Sequence, residues 1–174
     1  MEIRIRLEND FLPEHTFDCG QCFRWNREDD GSYTGVAMGR AVNLKYESGD
    51  IVIAGASEAD RALWEEYLDT KRSYSEIKKK ISVVPAVEKA VAYGGGIRIL
   101  KQEFFETLIS FIISQQSSIP KIKRSVEMLC RAYGEPICLS GKTYYSFPGP
   151  EALKNATEKD YEAFGVGYRA KYIE

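Results

Sequence analysis

Ile3, Ile5 and Leu7 alternate with charged residues, the two-residue period of a strand with one dry face. Short runs over residues 21–27, 33–38, 41–46 and 51–53 predict four more strands. Asp29-Asp30-Gly31-Ser32, Met38-Gly39-Arg40 and Ser48-Gly49-Asp50 separate them. Each of these turns holds a Gly or Asp that tolerates positive φ. Five such strands make a small antiparallel meander with one face to cover.

The period then changes to that of helices. Ser57 precedes a segment whose apolar positions are Leu63, Trp64, Tyr67 and Leu68. Ser73-Tyr74-Ser75-Glu76 fits a capping box, with Ile77 and Ile81 on one side of the helix it opens. Lys78, Lys79 and Lys80 read as that helix's wet face. Pro85 suits the first turn of a helix that stops at Gly94-Gly95-Gly96, the best boundary in the chain. Residues 103–116 carry Phe104, Phe105, Leu108, Ile109, Phe111, Ile112 and Ile113, which predicts a helix buried on all sides. Its end at Ser114-Gln115-Gln116-Ser117-Ser118 is abruptly polar. A helix from Pro120 to Tyr133 follows, with Gly134 as its C′ residue and Ser117 or Ser118 as its cap. Two short helices come next, and Gly165 stops the second. From Gly167 on, the pattern is that of another helix, with Tyr168 and Tyr172 on its inner face. Two turns are marginal alone. They read equally as a natural last helix or as the start of a longer one.

The chain has 174 residues, of which 44% are hydrophobic and 29% charged, ordinary values for a globular protein. No apolar run reaches the roughly 20 residues of a membrane span. The first residues lack a signal peptide's apolar core. A cytoplasmic location is therefore expected. A net charge of −2 argues against a generally basic nucleic-acid binder. It leaves room for a local basic face, and Lys121, Lys123, Arg124 and Arg131 stand there against the single acid Glu127.

Common catalytic parts are missing. The one histidine, His15, lies beside Pro13, and Gly94-Gly95-Gly96 lacks the ending of a phosphate-binding loop. Cys19 and Cys22 have the C-x-x-C spacing of redox and zinc sites. A redox pair usually opens a helix, whereas this one leads into Phe23-Arg24-Trp25, which reads as strand. Cys130 and Cys138 are poorly spaced as a second zinc pair. Reduced thiols are the favoured reading.

Three separated motifs carry more. They are Thr16-Phe17-Asp18-Cys19-Gly20-Gln21-Cys22-Phe23-Arg24-Trp25, Ser110-Phe111-Ile112-Ile113-Ser114-Gln115-Gln116-Ser117-Ser118-Ile119-Pro120-Lys121, and Phe164-Gly165-Val166-Gly167-Tyr168-Arg169-Ala170-Lys171-Tyr172. In this order and spacing they resemble the 8-oxoguanine DNA glycosylases, over essentially the whole chain. The resemblance implies an α+β protein. A small antiparallel TATA-binding-protein-like sheet with helices (1–96) would precede part of an all-helical glycosylase domain (97–174), incomplete at its C-terminus. It also implies a partner in double-stranded DNA containing 8-oxoguanine, a monomer, and no cofactor or metal.

The residue roles follow from the same resemblance. Oxidation converts guanine N7 from a hydrogen-bond acceptor to an N–H donor. A backbone carbonyl aimed at N7 therefore favours the lesion, and the resemblance puts it at Gly20, where close approach would leave no room for a Cβ. Phe23, Arg24 and Trp25 would brace that loop. Extruding the base costs a few kcal/mol. Tyr168 matches the aromatic wedge that offsets this cost, and Arg169 a contact to the orphaned cytosine. Gln116 stands where the family usually has Asn, and Lys121 where some members have Arg. Lys lacks Arg's planar fork, which thins the basis for selecting cytosine. The family's lysine nucleophile and assisting aspartate match nothing here and are expected after Glu174, so this chain is expected to be inactive alone. The runner-up is a non-catalytic damaged-DNA-binding module ending at Glu174. A zinc or redox protein using Cys19 and Cys22 is third.

Overall fold

The computed structural model describes residues 1–7 and 10–174. Five strands form one sheet: β1 (Glu2–Arg6), β2 (Trp25–Arg27), β3 (Tyr33–Ala37), β4 (Arg40–Glu47) and β5 (Asp50–Ala54), in the order β1-β5-β4-β3-β2. The alternation read from sequence sets the register. Ile3 and Ile5 lie opposite Ile53 and Ile51, while Leu44 and Tyr46 meet the same two residues from β4. A one-residue slip would turn this whole apolar set outward. Ser48 and Gly49 both have positive φ, as do Met38 and Gly39, the pattern of tight two-residue hairpin turns.

The chain divides into two compact units. The first comprises Met1–Gln21, Asn26–Thr34 and Val42–Lys101. It contains α1 (Pro13–Phe17), which the period missed because five residues are too few to show one. It also holds α2 (Arg61–Tyr67), α3 (Tyr74–Ile81) and α4 (Pro85–Tyr93). Pro85 opens α4 as expected, and Ser57 forms a full capping box with Asp60. At Ser73 only half of the expected box forms. Its side chain accepts from the Glu76 amide, while the Glu76 carboxylate turns to Lys79. The three lysines also split: Lys79 and Lys80 are exposed, but Lys78 pairs with Asp10 and donates to the Gly95 carbonyl at 2.8 Å.

Arg98 is the first unit's buried knot. Its guanidinium donates to the carbonyls of Leu68, Asp69 and Arg72 at 3.0, 2.6 and 2.9 Å and lies 4.1 Å from the centre of the Tyr74 ring. These acceptors line the link between α2 and α3, so one side chain satisfies backbone groups that no helix serves. Burial pushes the Arg98 pKa down.

The second unit comprises Cys22–Trp25, Gly35–Ala41 and Gln102–Glu174. It holds α5 (Phe104–Ser114), α6 (Ile119–Tyr133), the hairpin β6 (Pro136–Leu139) and β7 (Lys142–Tyr145), α7 (Pro150–Leu153), α8 (Glu158–Ala163) and a 3-10 turn over Gly167–Tyr172. Ile109, Ile113, Ile122, Val126, Leu129, Tyr161 and Val166 form its core. Here also the indole of Trp25 occupies the space beside Gly35, where an added Cβ would sit 2.4 Å from it.

Four expectations need correction. α5 is not buried all round: Phe104, Leu108 and Phe111, at i, i+4 and i+7, form an exposed stripe. Gly134 ends α6, but at φ −87°, outside the left-handed region. It is required for space, since a Cβ would meet the Ser146 carbonyl oxygen at 2.1 Å. Phe23 and Arg24 lie outside β2. In the last turn the buried residues are Arg169 and Ala170, whereas Tyr168 and Tyr172 are exposed.

Candidate nucleic-acid interface

In the first unit, α1 delivers the chain into the turn that carries Gly20. Thr16, buried on α1, donates its hydroxyl to the Gly96 carbonyl and accepts from the Arg98 amide, tying the helix to the segment after α4. Asp18 accepts a 2.6 Å hydrogen bond from the Tyr33 hydroxyl, and burial, helped by this contact, pushes that phenol's pKa up. Gln21 closes the turn. Its Nε2 donates to the carbonyls of Thr16 and Arg98, both at 2.8 Å, and its Oε1 accepts from the Leu100 amide at 3.0 Å.

Gly20 itself has φ +87°, and no atom lies within 4 Å of where a Cβ would be. Glycine is needed for its backbone conformation, and the space beside it is open.

In the second unit the structure brings Gln116, Tyr168 and Arg169 together. Ser114 to Ser117 form a β-turn closed by the Ser117 amide on the Ser114 carbonyl. Gln115 at φ −55°, ψ 122° and Gln116 at φ +49° match a type II turn. The third position of that turn favours Gly or Asn, so Gln116 is held in a conformation costly for its type. Arg169 does the holding. It is only 5% exposed, and its guanidinium donates to the carbonyls of Gln115, Gln116 and Val166. Tyr168 stands beside it, 54% exposed, with its ring 4.6 Å from the Arg169 guanidinium carbon. One buried cation thus fixes a polar turn and supports an exposed aromatic ring.

Lys121 lies at the exposed start of α6. With Arg124, Met128 and Phe164 it lines an open pocket of about 290 Å³ that the Ala163 to Gly165 turn completes. Its lining is mostly apolar, with Lys121 and Arg124 as the two cations. The other cations of the predicted basic face have partners. Lys123 donates to the Trp25 carbonyl, and Arg131 pairs with Glu127 at 2.8 Å.

A buried charged cluster in the same unit escaped the sequence reading. Arg24 is buried and donates to the Tyr145 carbonyl. Glu106 on α5 feels its charge, yet burial pushes that carboxyl up to about 7. Burial likewise pushes the Cys130 thiol up to about 12, so it is no nucleophile. The signal for Glu106 was a lone acid among the apolar residues of α5. Gln21 and Arg98 had no comparable signal, since most of their partners are backbone groups far away in sequence.

All four cysteines are free thiols, with Cys19 exposed and Cys22 buried. Among the described residues no three His, Cys, Asp or Glu side chains gather in a metal-holding group. No helix among them is long and apolar enough to cross a membrane.

A family model described as the N-terminal domain of 8-oxoguanine DNA glycosylase matches residues 3–108. An N-glycosylase/DNA lyase of Arabidopsis thaliana is 28% identical over 166 residues, covering 91% of this chain and 45% of its own length. One from Saccharomyces cerevisiae is 50% identical over 80 residues, covering 45% of this chain and 21% of its own. Among solved structures, the apo form of an 8-oxoguanine glycosylase/lyase from Clostridium acetobutylicum superposes with a TM-score of 0.95 at 42% identity. That match covers 99% of this chain and 61% of the relative. The same enzyme bound to double-stranded DNA with cytosine opposite 8-oxoguanine matches at a TM-score of 0.93. The chain thus spans less than two thirds of the length of these relatives.

Proposed function

The chain belongs to the 8-oxoguanine DNA glycosylase N-terminal domain family, and on that footing we propose that it supplies the lesion-reading and base-extruding surfaces of a base-excision repair glycosylase/lyase. Its ligand is double-stranded DNA containing 8-oxoguanine. The Gly20 carbonyl accepts from the lesion's N7–H, a bond that guanine cannot donate. The open space beside Gly20 admits the purine edge without a side chain in the way.

Tyr168 enters the duplex where the base has left. Gln116 and Lys121 meet the orphaned cytosine from the turn and from α6. Four of Arg169's five N–H groups are used on carbonyls, leaving one Nη1–H for the same base. Its larger part is to hold Gln116 and Tyr168 in place before DNA arrives. That preorganisation matters because base extrusion already costs a few kcal/mol. In a bacterium or archaeon the protein works in the cytoplasm.

The observation that carries this reading is the Arg169 clamp, which joins a polar turn to an exposed ring. Fluorescence anisotropy with matched duplexes containing 8-oxoguanine or guanine opposite cytosine tests it. Tighter binding of the lesion duplex is expected, and equal binding sinks the reading. No lysine of residues 1–174 matches the family's nucleophile, so borohydride should trap no covalent complex with this chain alone. An adduct on one of its lysines would place the nucleophile inside it.

A further inference from the structure

Gln21 carries a role that neither its position in the motif nor its residue type announced. Its carboxamide bridges two segments about eighty residues apart. Nε2 donates to the Thr16 carbonyl at the end of α1 and to the Arg98 carbonyl, and Oε1 accepts from the Leu100 amide. These partners fix the orientation of the amide. Two carbonyls face its nitrogen and an N–H faces its oxygen, so the reverse orientation would make three repulsive contacts. Both Nε2 hydrogens point at protein carbonyls. The group is built into the fold and is not held in reserve for a ligand.

The Gly20 carbonyl shares one rigid peptide plane with the Gln21 amide nitrogen. Gly20 precedes it at φ +87° with no side chain to restrict the backbone. Left alone, that plane would swing. Anchoring the Gln21 side chain holds the plane from its C-terminal side, while Tyr33 holds Asp18 on the other side of the turn.

We propose that Gln21 is a positioning residue that aims the Gly20 carbonyl, so that discrimination between an N7–H donor and an N7 acceptor depends on its carboxamide. This rests on the reading of Gly20 given above. A carbonyl with a fixed direction rewards a donor and repels an acceptor at one place. A carbonyl free to rotate turns away from the acceptor, and the distinction between the two purines is lost. Gln21 therefore acts on selectivity more than on overall DNA affinity.

The test uses the chain with Gln21→Met, which keeps length and loses all three bonds, and Gln21→Asn, which keeps the amide and loses its reach. Two quantities are read. One is amide hydrogen exchange across residues 18–21 in the free protein. The other is the ratio of affinities for 8-oxoguanine and guanine duplexes at one salt concentration, with an abasic-analogue duplex reporting wedge binding alone. Exchange should speed up in both variants. The affinity ratio should fall at least about fivefold, the worth of one ordinary hydrogen bond. Abasic-duplex affinity should change less than about twofold. Should Gln21→Met fail to fold, Gln21→Asn carries the comparison. Unchanged exchange overturns the brace whatever the DNA results. Faster exchange with an undiminished ratio overturns the aiming role. A wild-type chain without lesion preference, but with exchange that responds to Gln21, sinks the Gly20 reading and leaves the brace standing.

Discussion

A single residue can be costly for its own site and still be placed with purpose. Gln116 sits at φ +49°, where Gly or Asn would rest more easily. Gln116→Asn should raise stability by up to about 1 kcal/mol in urea denaturation, because Asn visits the left-handed region at lower cost. A loss would mean that the Gln side chain contributes more to the turn than its backbone strain removes. Glu106 gives a prediction with a sign. Its carboxyl, buried beside Arg24, is pushed from 4.5 to about 7. Below 4.5 both folded and unfolded chains hold the proton, and the group is neutral to stability. Between 4.5 and 7 only the folded chain holds it. The unfolded chain gains by ionising, so stability falls across that window and levels off above it. Denaturant midpoints measured from pH 4.5 to 8 should show this decline, and Glu106→Gln should flatten it. An unaltered slope in the variant would assign the decline to other groups.

At the level of elements, legibility followed the range of the interactions involved. The five strands were readable because alternation is local and each turn announced itself at Gly31, Gly39 or Gly49. α4 and α6 were readable from Pro85 and Pro120. α1 and the β6–β7 hairpin were too short to leave a period, although Ser140-Gly141 with positive φ is the kind of pair that marks a hairpin. The motifs singled out Gln116, Tyr168 and Arg169 but could not show that the Arg169 guanidinium binds the carbonyls of Gln115 and Gln116. That contact joins residues more than fifty positions apart. α5 shows the limit of composition most clearly. Its apolar count predicted burial on every side, yet Phe111 is 62% exposed and Ile113 only 2%. The two faces should respond differently to substitution. Ile113→Ala should cost about 2–5 kcal/mol by leaving a cavity in the second unit's core. Phe111→Ser should stay within about 0.5 kcal/mol. Thermal or urea unfolding of the two variants decides, and a comparable cost at both would show that the Phe111 face is covered in solution.

At the scale of all 174 residues, a net charge of −2 offers no overall attraction for the DNA proposed above as the ligand. Binding must come from a few placed groups, and this separates residues that otherwise look equally suitable. Lys79 belongs to a run of three lysines, but it is paired with Glu76 at 3.0 Å on an ordinary helix face. Tyr168 carries no charge, yet its ring is exposed and supported by a buried cation. If charge count governed binding, Lys79→Ala would be the more damaging change, and it would lower the slope of log affinity against log salt by about one. If insertion of a ring governs it, Tyr168→Ala should remove stacking worth about 1–3 kcal/mol, roughly fivefold to more than a hundredfold in affinity at fixed salt. The salt slope should then stay unchanged, because no phosphate contact has been lost. Titrations of both variants with a lesion duplex at two or more salt concentrations distinguish the cases. Equal losses, or a salt slope that falls with Lys79→Ala, would put the DNA-binding face elsewhere on the protein.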